Sequence, residues 1–239
     1  MPASAANPST PTQKEDIRTR VRKDLIGTIL ISLVLMLAAG RLDWTTGWIY
    51  IGLNFLGLLV NWSILIAKNP ELLAARAQIT QEDSKPWDRL FTAFYGPMLL
   101  IIMLITGLDA GRFSWSAVPS WLQIISIGLF IFGWGFSLWA MVSNKYFETS
   151  VRIQEDRGHT TVTEGPYAVV RHPGYSGIAL LYAVSPLFLG SWWGLIPSAL
   201  LTVGFVIRTA LEDKALSEEL ADYPAYSQKV RYRLIPGIW

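Results

Sequence analysis

Residues that could bind charged ligands concentrate in one short stretch, "GPYAVVRHPGYSG", at 165–177. Pro173 disfavours helical geometry at His172 and is itself suited to the first turn of a following helix. His172 is therefore expected near a helix N-cap, where free N–H groups favour an anion such as a carboxylate. Gly174 and Gly177 would allow another backbone or a ligand to approach closely. A simpler reading has Arg171 anchored to lipid phosphate and His172 only capping the helix.

A second stretch, "VIRTALEDKALSEEL", places Arg208 and Glu212 four residues apart, on one face of a helix. On an exposed surface such a pair contributes only about 0.3–0.5 kcal/mol. The pair stands where the last apolar segment ends, so its side chains are expected to meet both the lipid edge and the preceding loop. The closing segment "YPAYSQKVRYRLIPGIW" alternates aromatic and basic residues and could lie in the interface or fold over a site.

The elements that position these residues are predicted to be membrane helices. Hydrophobic residues make up 51% of the 239 residues and charged residues only 16%, whereas about a quarter is usual in soluble domains. Apolar runs that could cross a bilayer fall near 25–40, 44–67, 91–108, 121–143, 175–190 and 192–210. The fold class is therefore all-α, a polytopic membrane bundle of five to six helices. Pro186 and Pro197 could kink the last two or join them as a re-entrant hairpin.

Lysine and arginine predict the orientation, because they accumulate in cytoplasmic loops. With six spans, 18 of the 20 lie on the side of both termini, and only Arg41 and Arg112 lie opposite. Both termini are expected in the cytoplasm, with the chain in a bacterial inner membrane or the endoplasmic reticulum. Residues 1–20 are predicted to be a disordered tail, 21–143 the first helices, and 144–239 a catalytic region.

Several function classes are disfavoured by composition. The net charge of +2 is too small to indicate nucleic acid, and the absence of cysteine excludes disulfides and thiolate nucleophiles. The two histidines give no metal-ligand spacing, so no metal is expected. No ionisable residue falls inside the spans before Arg208, which argues against ion or proton transport.

Together, the 165–177 motif, the Arg208–Glu212 spacing and "YPAYSQKVRYRLIP" resemble the isoprenylcysteine carboxyl methyltransferase family of integral membrane enzymes. The resemblance implies S-adenosyl-L-methionine as cofactor and a lipid-like or prenylated small-molecule or peptide acceptor that enters from the membrane lipid. It implies Arg208 and Glu212 as catalytic residues, with Arg208 against the acceptor. The cofactor contacts it implies are Gln154, His159, Thr160, Thr161, Val162, Tyr167, His172, Pro173, Gly174, Tyr175 and Glu212.

In such a site, a carboxylate acceptor is already ionised at neutral pH and needs no general base. Arg208 would hold its two oxygens, while Glu212 would pair with the cofactor cation and keep Arg208 oriented. An amine acceptor, as in a phospholipid N-methyltransferase, would instead need Glu212 or Tyr175 as a base. Two further alternatives are a membrane scaffold and an NADPH-dependent sterol-type reductase. The reductases carry a related Arg-His-Pro loop, but this chain has Gly174 and Ile178 where they usually have Asn and Glu.

Overall fold

The computed structural model describes residues 10–77 and 83–239, and these ranges form α-helices and no β-strand. The helices are α1 (Pro11–Ala39), α2 (Thr45–Lys68), α3 (Pro70–Ala75), α4 (Pro86–Thr106), α5 (Ser120–Ser143), α6 (Pro173–Leu189), α7 (Leu195–Glu219) and α8 (Tyr223–Lys229). A π-helical turn, Gly107–Phe113, extends α4. The predicted all-α bundle is confirmed.

Each of the six apolar runs predicted from the sequence falls in a separate helix. By length and composition, α2, α4 with its π-helical turn, α5 and α7 can each cross a membrane. Helix α6 is apolar but has 17 residues, about 26 Å of helix. Helix α1 carries Arg22, Lys23 and Asp24 just before its apolar half. The last two runs form a helical hairpin that turns at Gly190–Gly194, with Pro186 near the end of α6 and Pro197 in the first turn of α7.

The amino-terminal helix begins earlier than the sequence suggested. Residues 1–9 of the expected tail lie outside the described residues, but the segment from Pro11 onward is helical. The Thr10 side chain accepts a hydrogen bond from the backbone N–H of Gln13, and Pro11 occupies the first turn, which suits its fixed φ. The boundary expected at residue 20 therefore lies within α1.

Close packing of α5 on α6 positions the start of α6. This is the most extensive helix contact in the described chain. Gly133 and Gly177 face each other, and a Cβ built on Gly177 would lie 2.6 Å from the Gly133 carbonyl oxygen. Only glycine lets the two backbones approach this closely.

The two ends of the bundle differ in content. One end carries short connections, where Arg112 donates to the carbonyls of Leu37 and Ala38. There the buried Asp109 accepts hydrogen bonds from the Ser116 and Ser191 hydroxyls, each at 2.5 Å. The other end carries the long 144–172 connection and the carboxyl-terminal segment, and the predicted site residues lie there.

Candidate active site

A pocket opens between the 144–172 connection, the first turn of α6, the last turns of α7 and helix α8. The empty space in this pocket, including its open mouth, is about 780 Å³. Predicted site residues that line it are Gln154, His159, Thr160, Thr161, Val162, Tyr167, His172, Gly174, Tyr175 and Glu212. Pro173 is buried in the first turn of α6 and does not line the pocket. Arg208 does not line the pocket either, but its guanidinium packs on the ring of Tyr175, which does.

One wall of the pocket is an aromatic platform. The rings of Tyr146 and His159 have centroids 4.5 Å apart, and the Tyr146 hydroxyl donates to the Gly158 carbonyl oxygen at 2.7 Å. Burial lowers the pKa of His159 and outweighs the negative charge of Asp222, which would raise that pKa. The His159 ring is therefore neutral at pH 7. The two rings are tilted by 40°, and such an aromatic pair offers a surface on which another planar ring can pack.

Gln154 also lines the pocket, but both ends of its amide are bonded within the protein. Its Nε2 donates to the Tyr146 carbonyl oxygen at 2.7 Å, and its Oε1 accepts from Arg157 at 2.8 Å. The side chain therefore holds the platform in place.

An ion-pair network behind this wall was not foreseen. The Glu148 side chain is 2% exposed and accepts hydrogen bonds from Arg152 at 2.9 Å and Arg157 at 3.2 Å. Arg152 also pairs with Asp156 at 2.8 Å, and these carboxylates raise its pKa. The four-residue spacings of Glu148, Arg152 and Asp156 gave no signal for this network, because such spacings indicate contacts on a helix and residues 148–154 are not helical.

Helix α8 closes the opposite side of the pocket. Asp222 accepts hydrogen bonds from the Thr161 backbone N–H at 2.9 Å and hydroxyl at 2.7 Å. Partial burial alone would raise the pKa of Asp222. The hydrogen bonds from Thr161 have the larger combined effect, so the pKa is lowered. The Tyr226 hydroxyl donates to the Tyr167 carbonyl oxygen at 2.7 Å. The aromatic carboxyl-terminal segment thus folds over the site.

Asp213 joins the 165–177 stretch to the helix that carries Arg208 and Glu212. Its carboxylate pairs with Arg171 at 2.8 Å and Arg233 at 2.9 Å, and accepts a hydrogen bond from the Tyr223 hydroxyl at 2.7 Å. The His172 ring lies 3.3 Å from it. The sequence did not predict this role for Asp213, because the residues that bind it are distant along the chain.

The 171–173 turn also anchors the carboxyl-terminal segment through the backbone. The N–H groups of Arg171 and His172 donate to the carbonyls of Tyr232 and Arg233, each at 2.9 Å. His172 is the N-cap residue of α6, as predicted, but its side chain makes no capping hydrogen bond. It turns to Asp213 instead, so Arg171 and His172 tie the segment to α7 within the protein.

Tyr175 stands at the centre of the site. Its ring lies parallel to that of His172, with centroids 5.9 Å apart, and the Arg208 guanidinium lies 5.0 Å from its centroid. Its hydroxyl donates to Glu212 at 2.6 Å. One side chain therefore brings together the two motifs that the sequence placed 36 residues apart, from His172 to Arg208.

Arg208 is oriented by a carboxylate that the sequence analysis did not single out. Its guanidinium lies over the Phe91 ring, forms an ion pair with Asp88 at 2.8 Å and donates to the Thr149 carbonyl oxygen at 2.8 Å. Asp88 also accepts from the backbone N–H of Val151 at 2.8 Å. The orienting role expected of Glu212 belongs to Asp88, because Glu212 is turned to Tyr175. The predicted span began at Phe91, so Asp88 fell just outside it.

The family comparison covers most of the residues of the candidate site. Residues 109–218 match the model of the isoprenylcysteine carboxyl methyltransferase family. Over these residues, the chain is similar to this family. The match includes the pocket loop, α6 and the Arg208–Glu212 turn, and ends before α8. No curated protein matches the chain.

The match to the isoprenylcysteine carboxyl methyltransferase family fits the four helices of the described chain that are long and apolar enough to cross a membrane. Together, the match and these helices indicate an integral membrane methyltransferase. No group of three or more histidine or carboxylate side chains suited to a metal occurs in the described ranges.

Proposed function

We propose that the chain is an S-adenosylmethionine-dependent carboxyl O-methyltransferase that acts at the membrane interface on a lipid-linked or isoprenylcysteine-like acceptor. The observation that carries the proposal is the arrangement around Tyr175. Its hydroxyl binds Glu212 on the pocket side, and its ring carries the Arg208 guanidinium. A carboxylate for a cationic cofactor and a guanidinium for an anionic acceptor are thus separated by one aromatic ring.

The residues present suit S-adenosylmethionine, which has a planar base, a cationic sulfonium and a polar amino-acid end. The Tyr146–His159 platform suits the base, and Glu212 suits the positive charge. Ser150 lines the same pocket, and its buried hydroxyl has no hydrogen-bond partner within the described chain. Such an orphaned hydroxyl suits the polar end of a ligand, because an unsatisfied buried polar atom costs about 1–3 kcal/mol.

When bound, this cofactor supplies a methyl group on a sulfonium cation. The residues of the chain position the acceptor and exclude water. The buried Arg208 Nε has no hydrogen-bond partner in the described ranges, and we assign the acceptor carboxylate to this donor. An acceptor carboxylate, with a pKa near about 4, needs no base at neutral pH. Transfer of the methyl group neutralises the sulfonium cation and the carboxylate anion. Such a reaction is favoured in a site shielded from water, and Arg208 is buried.

Two substitutions test these roles. Glu212→Ala is expected to weaken S-adenosylmethionine binding, because it removes the carboxylate beside the sulfonium. Arg208→Lys is expected to lower turnover more than cofactor affinity, because a lysine cannot form the planar fork. Glu218→Ala, on the exposed side of the same helix, is the matched control. Undiminished cofactor binding by Glu212→Ala in calorimetric titration would contradict the assignment.

An amine acceptor is the second candidate, and the Tyr175–Glu212 hydrogen bond favours it. That pair could receive the proton that an amine must lose before methylation. A transfer rate that rises steeply with pH would favour the amine, whereas a flat profile around neutral pH would favour the carboxylate.

We also propose that residues 144–239 form the catalytic region and that both termini face the cytoplasm, in a bacterial inner membrane or the endoplasmic reticulum. The basis for the orientation is the excess of lysine and arginine on the side of the site. Because the chain has no cysteine, single substitutions can report orientation. Ser227→Cys should react with an impermeant maleimide only from the cytoplasmic side, and Ser116→Cys only from the opposite side. The reverse labelling pattern would refute the orientation.

A further inference from the structure

A groove on the outer surface of the bundle ends at a cation. It runs between α1 and α4 with its π-helical turn, at the end of the bundle opposite the candidate active site. The residues that line it are Val34, Leu37, Ala38, Leu104, Leu108 and Arg112. The empty space in the groove, including its open side, is about 600 Å³. Leu37 is 64% exposed and Leu104 is 43% exposed, as expected of apolar side chains that contact lipid.

Close packing of the two helices fixes the shape of the groove. A Cβ built on Gly107 would lie 2.6 Å from the Leu35 carbonyl oxygen, and a Cβ built on Gly111 would collide with Ala39. Along this row of residues the backbones are already in contact, so the helices cannot move closer and close the row beside it. That neighbouring row is the groove.

The Arg112 side chain is held in place by the carboxyl end of α1. Its Nε donates to the Ala38 carbonyl oxygen at 2.8 Å, and its Nη2 donates to the Leu37 carbonyl oxygen at 2.7 Å. These carbonyls have no partner within the helix, and they belong to the negative end of the helix dipole. A guanidinium has five N–H donors, so three of them remain for a ligand at the end of the groove.

No carboxylate of the described chain pairs with Arg112. Asp43, at the same end of the bundle, pairs with Arg41 at 2.7 Å. Asp109 is buried and accepts hydrogen bonds from two serine hydroxyls. Both undescribed segments adjoin the other end of the bundle, because they precede α1 and α4, whereas Arg112 lies where those helices end. The 29 residues of α1 alone span about 43 Å. Within the described chain, Arg112 is therefore an exposed cation without a counter-ion.

Aromatic side chains indicate that Arg112 lies near the depth of the lipid headgroups. Exposed tryptophans at this end of the bundle are Trp48, Trp115, Trp121 and Trp193. Tryptophan is enriched where a membrane meets water. The Trp115 ring stacks on the ring of Phe113, directly after Arg112, with centroids 4.8 Å apart. A lipid phosphate at this depth would meet the free donors of Arg112.

We propose that the groove binds an anionic phospholipid, with its phosphate on Arg112 and one acyl chain between α1 and α4. The guanidinium is complementary in charge to the phosphate, and the apolar walls suit a hydrocarbon chain. A lipid with a net negative charge is favoured over a zwitterionic one, because no carboxylate of the described chain neutralises Arg112. A bound lipid contacts both helices and stabilises their packing. The inference does not depend on the proposed methyl transfer.

Thermal unfolding of the detergent-purified protein with added lipid tests this site. Phosphatidylglycerol and phosphatidylcholine with the same acyl chains are compared, because only phosphatidylglycerol carries a net charge. At about ten times its dissociation constant, phosphatidylglycerol should raise the Tm of the native chain by about 3–6 °C, and phosphatidylcholine should raise it by less. Arg112→Gln should lose most of this difference. Arg41→Gln removes the same charge at the same end, from a residue paired with Asp43, and should keep the difference.

A second variant tests the groove with the cation intact. Leu108→Trp should fill the groove and reduce the effect of phosphatidylglycerol, whereas Ile124→Trp, at an exposed position of α5, should not. Leu108→Trp is decisive if Arg112→Gln does not fold. Equal effects of the two lipids on the native chain would refute the inference, as would an unchanged preference for phosphatidylglycerol in either groove variant. Loss of the preference in Arg41→Gln would show a general effect of surface charge and would also refute it. So would inorganic phosphate that raises the native Tm as much as phosphatidylglycerol does, because the groove would then have no part in binding.

Discussion

Asp213→Asn should release the carboxyl-terminal segment from the site. The carboxylate pairs with Arg171, and both side chains are 7% exposed. It also receives Arg233 and the Tyr223 hydroxyl. Asparagine keeps the shape and an oxygen for Tyr223 but leaves two guanidinium groups without their shared anion.

The expected magnitude follows from burial. Removing one partner of a buried ion pair costs about 3–5 kcal/mol. For a chain of this length, 1 kcal/mol corresponds to about 2–4 °C in Tm, so Tm should fall by about 6–20 °C. Glu218→Gln, on the same helix, is the control. Its pair with Lys214 spans 3.8 Å, and both side chains are more than half exposed, so its effect should stay within about 1 kcal/mol.

The assay is thermal unfolding of the detergent-purified protein, followed by tryptophan fluorescence. Limited trypsin digestion gives a local readout, because cleavage after Arg231 and Arg233 should accelerate when the segment detaches. Equal Tm values and equal cleavage rates for Asp213→Asn and Glu218→Gln would refute the reasoning.

Two further predictions concern packing and pH. Gly177→Val should lower Tm by an amount equivalent to about 1–3 kcal/mol, because its side chain would meet the Gly133 backbone, whereas Gly135→Val meets open space and should have little effect. Similar Tm values would contradict the packing. Burial lowers the pKa of His159, so the unfolded chain binds its proton more tightly, and stability should be lost as pH falls through about 6.5. Thermal unfolding between about pH 5 and pH 8 should show a smaller loss for His159→Gln, and an equal loss would refute this role.

The sequence predicted the helices better than the contacts between them. Apolar runs long enough for a membrane and the proline at 173 located every large helix, because both signals are local. The start of α1 was missed because its first turns, from Pro11, are polar, and their helical order depends on capping by Thr10.

The candidate site was predicted as a set of residues rather than as a network. The four-residue spacing placed Arg208 and Glu212 on one helix, but it could not reveal that Tyr175 would bind Glu212 or that Asp88, from α4, would bind Arg208. Asp213 was likewise inconspicuous, since its partners come from the 171–172 turn and the carboxyl-terminal segment. Such pairings depend on the packing of helices that are distant along the chain.

Calorimetric titration of the detergent-purified protein with S-adenosylmethionine, S-adenosylhomocysteine and NADPH tests the proposed cofactor. S-adenosylmethionine and S-adenosylhomocysteine should bind, and NADPH should not. Glu212→Ala should weaken the binding of S-adenosylmethionine more than that of S-adenosylhomocysteine, because only S-adenosylmethionine carries the sulfonium cation. Binding of NADPH without binding of S-adenosylmethionine would refute the proposed methyltransferase.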